Sequence, residues 1–104
     1  MTLDEIQARR DEVWDVVRKH GVDRLTVVVA EPGRPVPYGE AYFEVGFTPE
    51  GRARARGVRY GTVIMNMIDE LSELLGCSVW VGDLNGTSRS PRFTERLRQR
   101  ATAL

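Results

Sequence analysis

Residues 25–47, LTVVVAEPGRPVPYGEAYFEVGF, set two strand patterns of different kinds on either side of a breaker-rich loop. Leu25 to Ala30 is β-branched and nearly all apolar, which predicts a strand covered on both faces. Glu40 to Phe47 alternates instead. Ala41, Phe43, Val45 and Phe47 share one side, and Glu40, Tyr42, Glu44 and Gly46 share the other. This second strand should be half-buried, with a polar outer face. Residues 31–39 between them hold three prolines and two glycines and read as a loop. So short a connection favours antiparallel pairing.

Working outward, YGTVIMNMIDELSELLG at 60–76 has the cleanest helical period in the chain. Val63, Ile64, Met67, Ile68, Leu71, Leu74 and Leu75 form its stripe, and Gly76 ends it. Ser78–Val81 is a short third strand, reached through that helix and so placed for a parallel crossover. Upstream, Thr2 and Glu5 form a capping box. Leu3, Ile6, Val13, Trp14 and Val17 then predict one helix over residues 3–20, stopped at Gly21. Residues 48–58, rich in Arg and Gly, read as a second loop. A loop from Gly82 to Ser90 leads to Pro91 and a basic terminal helix with Phe93 and Leu97 inward. The order α-β-β-α-β-α predicts an α+β fold, a small mixed sheet backed by helices, with residues 1–104 as one domain.

The composition, 41% hydrophobic and 29% charged over 104 residues, fits one ordinary globular domain. It argues against a disordered chain, a fibre or a disulfide-stapled mini-protein. The longest apolar run is far below the roughly 18 residues that span a bilayer. No signal peptide is visible, and Cys77, the single cysteine, suits a reducing compartment. These features together predict a cytoplasmic protein without a membrane partner. Fifteen basic and fifteen acidic residues cancel, so a protein that coats nucleic acid is not expected. All the basic residues except Lys19 are Arg, a planar fork suited to carboxylates and phosphates.

The pattern resembles the minimal nucleotidyltransferases, small relatives of the polymerase-β-like transferases. The resemblance rests on GVDRLTVVV into the first strand, MIDELSELLGCSVWV across the long helix and third strand, and the terminal PRFTERLRQRA. Gly33 falls on a glycine common in that family. In the family a Gly-Ser pair ends the first strand and holds the nucleoside triphosphate. Asp-x-Asp on the second strand and a carboxylate on the third bind magnesium. Here Val28 and Val29 stand at the Gly-Ser positions, Glu40 and Tyr42 at Asp-x-Asp, and Trp80 at the third carboxylate. Only Glu40 keeps an acidic group, so the motif is degenerate.

Each replacement has a physical consequence. A β-branched Val forbids the turn that lets backbone approach a phosphate, and Val29 has no hydroxyl to donate. Magnesium needs hard oxygen ligands, where Tyr42 offers a neutral phenol and Trp80 no oxygen. Glu44 lies about 13 Å along the strand from Glu40, too far for ions that sit roughly 4 Å apart. Asp83, beyond the third strand, is a remote substitute. Aromatic rings beside Glu40 would alternatively line a pocket for a cationic or stacked ligand, or simply fill the vacated cleft.

Elsewhere, Arg52, Arg54 and Arg56, followed by Arg59, would present three guanidinium groups on one side if extended, against an acidic protein surface or a phosphate backbone, or in solvent. On the terminal helix, Arg92 and Arg96 share a face partly offset by Glu95. Arg96 and Arg100 also suit the helix C-terminus. His20, the only histidine, is placed for C-terminal capping. Cys77 reads as a small buried side chain, without a Cys or His neighbour for metal or nucleophile chemistry. Met65 and Met67 read as core or interface filler.

The resemblance implies an antitoxin that neutralises a HEPN-type helical ribonuclease, here by contact and without nucleotide transfer, cofactor or metal. Self-association is left open. The alternatives are a divergent enzyme that uses Glu40 and Asp83 with magnesium and ATP, or a repurposed small-ligand domain.

Overall fold

A computed structural model describes residues 1–86 and 90–104. The elements are α1 (Leu3–Ala8), α2 (Arg10–Arg18), β1 (Val22–Val29), β2 (Ala41–Phe47), α3 (Pro49–Val58), α4 (Tyr60–Leu75), β3 (Val79–Asp83), α5 (Pro91–Gln99) and β4 (Thr102–Ala103). They make an α+β fold around one mixed sheet of order β3-β2-β1-β4. β2 is antiparallel to β1 and parallel to β3, as the short loop and the helical crossover require.

One sheet face is apolar over most of its area. Leu25 and Val27 from β1, Phe43 and Val45 from β2, and Val79 and Val81 from β3 meet Ile6, Val13, Val17, Met67 and Leu71 of the helices. Gly76 closes α4 at φ 68°, a left-handed conformation that glycine adopts without penalty. Thr2 caps α1 by accepting from the Glu5 N–H at 3.2 Å.

Four expectations change. The helix expected over 3–20 is interrupted at Arg9 (φ −112°, ψ 22°), whose guanidinium reaches the Leu74 carbonyl at the end of α4 and pairs with Glu12. Residues 48–58 are not a loop. Thr48 accepts from the Gly51 N–H at 2.9 Å, and Pro49, whose missing N–H costs nothing in a first turn, starts α3. Gly51 is there because a Cβ would overlap the Gly21 carbonyl oxygen, so α3 packs backbone to backbone on that turn. The second face of β2 is not an open polar surface, because α5 covers it and Glu44 is buried. Phe93 does not point inward with Leu97 but is 39% exposed.

The tail after α5 adds β4, which pairs antiparallel with Thr26 and Val27. Of the loop expected from Gly82 to Ser90, Gly82 and Asp83 extend β3, and residues 87–89 lie outside the described residues. Among the described residues no helix is long and apolar enough to cross a membrane.

Candidate functional site

Of the positions singled out by the resemblance, three converge, whereas Val29 packs on the side of the large core. Val28 on β1, Tyr42 on β2 and Trp80 on β3 are register partners, in line across three strands. Period-two pleating puts Val28 and Tyr42 on the face away from the large core. On that side Val28, Val36 and Leu97 form a small buried cluster, with Tyr42 and Ala101 packed against it. Val28 is 4% exposed, and beside it a cavity of about 200 Å³ remains, lined by Val28, Val29, Arg34 and Arg100.

Tyr42 lies across Gly82, where a Cβ would overlap the phenol oxygen. Burial first, then the negative charge of Glu44, pushes its hydroxyl up to about 12, so it stays a neutral phenol. Trp80 is partly buried, its ring 4.6 Å from and tilted 46° to that of Tyr38, an exposed residue in the left-handed region at φ 59°. Glu40 is exposed ahead of β2, its backbone N–H held by the Ser78 carbonyl at 2.9 Å.

The two carboxylates weighed as replacements, Glu44 and Asp83, have other partners. Glu44, 3% exposed, receives Arg98 Nε at 3.1 Å and Nη2 at 3.0 Å. Arg98 Nη2 also donates to the Leu84 carbonyl at 3.1 Å. Charge-assisted bonds in this fork geometry hold α5 to the sheet. Asp83 shares the face of Val79 and Val81, on the opposite side of the sheet from Tyr42. Its carboxylate accepts from Arg52 Nη2 at 3.0 and 2.9 Å, from Tyr60 Oη and from the Asn85 N–H at 2.9 Å. Burial pushes this carboxyl up, but the bonds from Tyr60, Asn85 and Arg52 outweigh it and hold it below the usual range. The Tyr60 hydroxyl is raised by burial and by Asp83. The sheet therefore separates Asp83 from the α5-covered face of Tyr42.

These donors do not fit a magnesium–triphosphate group. Two valines, a covered phenol and an indole occupy the motif, and both substitute carboxylates are bound to arginines. Among the described residues no three His, Cys, Asp or Glu side chains are grouped as metal ligands would be.

The three arginines of α3 do not share a side. Helical geometry turns Arg54 away from Arg52 and Arg56, and Arg52 is taken up by Asp83 while its guanidinium lies 5.5 Å over the Phe47 ring. Arg54 lines a groove of about 110 Å³ with Lys19, His20, Ala55, Val58 and Val63, and Arg56 is exposed.

His20 does not cap its helix but bonds Glu70 on α4 at 3.0 Å. Lys19 bonds the same carboxylate, and these two partners hold Glu70 below its usual range against a smaller desolvation effect. Cys77 is only partly buried, its thiol raised by burial and by Glu40. Met67 is fully buried and Met65 is 47% exposed. Arg100 donates to the carbonyls of Arg34 (2.9 Å), Val29 and Pro35 (both 3.3 Å), tying α5 to the loop after β1. Sequence reading missed the Glu44–Arg98 and Asp83–Arg52 pairs. The chain's preference for Arg over Lys was the available signal, since a planar fork grips a carboxylate in two places.

Comparison with known proteins finds no matching family model, no matching curated protein and no matching solved structure.

Proposed function

We propose that this chain is a protein-binding subunit of nucleotidyltransferase-like ancestry, an antitoxin or partner of a HEPN-type helical ribonuclease that acts by contact rather than by nucleotide transfer. The observation that carries this reading is the closed sheet face. Tyr42 lies over Gly82, Leu97 covers Val28, and Arg98 holds Glu44, so α5 covers much of the face that carries the degenerate motif. A divergent enzyme built on Glu40 and Asp83 is disfavoured, because Asp83 lies on the other side of the sheet and is bound by Arg52 and Tyr60. Binding a protein asks nothing of the lost motif. It needs a stable scaffold with exposed arginines and apolar side chains, and the corner of α3 and α4 offers Arg54, Arg56, Arg59 and Val58.

The test is co-expression with the product of the adjacent gene, followed by size-exclusion chromatography and a growth-rescue assay. Co-elution with relief of toxicity is expected. No co-elution and no rescue, together with turnover of a nucleotide by the purified chain, would remove the proposal.

A further inference from the structure

Charge is segregated across the sheet. On the side of the large core, the outward stripe of α4 carries Met65, Asp69 and Glu73, all exposed. On the other side, the outward stripe of α5 carries Arg92 and Arg96, also exposed, with Phe93 beside them. None of these four charges has an ion pair among the described residues, whereas Glu70 on α4 is paired with Lys19 at the end of α2. The two stripes match in spacing. Asp69 and Glu73 are four residues apart, as are Arg92 and Arg96, which is about 6 Å along a helix. Each stripe also carries one of the exposed large apolar side chains, Met65 at 47% and Phe93 at 39%. Glu95 is the one like charge that the acidic stripe would meet.

We propose that the two stripes are halves of one contact between copies of this chain. Helix α5 of one copy lies along α4 of the next, Arg92 and Arg96 face Asp69 and Glu73, and Phe93 meets Met65. Arg provides forked donors to carboxylates, and thioether–aromatic contact is favourable. A net charge of zero removes the long-range repulsion between copies. Because the halves lie on opposite sides of the sheet, the contact is head-to-tail rather than isologous. It is small and made of exposed charges, so it is weak and salt-sensitive. It uses neither the closed face nor the α3 corner and stands independently of the function proposed above.

Sedimentation velocity from about 20 µM to about 1 mM tests it, a range in which so small a contact becomes populated. The wild type should sediment faster as concentration rises, and about 0.5 M salt should abolish the effect. Arg92→Glu/Arg96→Glu and Asp69→Arg/Glu73→Arg, both at exposed positions, should each weaken association at least about tenfold. An equimolar mixture of the two should restore it, because each variant then meets the opposite charge on both faces. Arg54→Glu/Arg56→Glu changes net charge as much as the α5 variant and should associate like wild type. A wild type that stays monomeric overturns the proposal, as does a mixture that fails to associate. An equal loss in the α3 variant would assign the effect to net charge and overturn it too. If wild type is monomeric and only an acidic helix of another protein binds α5, the second copy is the wrong occupant.

Discussion

The two faces of the sheet are built by different physics. Under α2 and α4 the core is a continuous apolar cluster, with Phe43, Val45, Met67 and Leu71 all fully buried. Under α5 three apolar side chains, Val28, Val36 and Leu97, are buried beside an ion pair. The first face is held by area removed from water, which tolerates any good packing of the right volume. The second depends on a few individual partners. Such a face stays covered only while each partner is in place.

The largest expected contrast comes from truncation. Phe43→Ala should cost about 3–5 kcal/mol in urea denaturation, since it empties the centre of the apolar face. On the other face, Arg98→Ala leaves Glu44 buried and unpaired. A pair in which Arg98 is 37% exposed is partly screened by water, so about 2–3 kcal/mol is expected. Glu44→Leu with Arg98→Met should fall within about 1 kcal/mol of wild type, because an apolar replacement removes the desolvation cost together with the pair. A double variant as unstable as Arg98→Ala would mean that α5 needs the charges and not merely the contact.

The Asp83 cluster sharpens the comparison on the side of the large core. Its pKa is depressed in the folded state, so its contribution is fully present above the unfolded value of about 3.9 and is lost as pH falls through the folded value. Asp83→Asn should therefore be less stable than wild type near neutrality, by about 1–2 kcal/mol, and the two should converge in acid. Denaturation midpoints measured at several pH values check this, and a constant difference would contradict it. Gly82→Ala probes the other face with an effect of similar size. A Cβ there would push the Tyr42 ring aside at about 1–2 kcal/mol, and less in a Tyr42→Val background.

What was legible in the sequence follows the same division. The alternation of Ala41, Phe43, Val45 and Phe47 and the stripe of α4 are periodic, and periodicity records area burial, so β2, α4 and the sheet pairing could be read. Glu44 breaks that logic. Its place in the alternation says solvent, yet Arg98, 54 residues away, makes burial acceptable, and no local pattern encodes such a distant partner. Helix α3 was obscured for another reason. Gly51 and Gly57 read as breakers, although Thr48-Pro49-Glu50 is a sound N-terminal signal. Gly51 serves a backbone contact with Gly21 that only the fold reveals. Val28, Tyr42 and Trp80, singled out by the resemblance, are neighbours in register across three strands. That α5 closes over them was not readable, because it depends on where Leu97 and Arg98 land.

The closed face is tested most directly by calorimetric titration of the purified chain with ATP, with and without magnesium. No saturable heat is expected in either condition, and the same flat trace is expected for Glu40→Ala. A low-micromolar dissociation constant that depends on magnesium, and is lost in Glu40→Ala, would contradict the account.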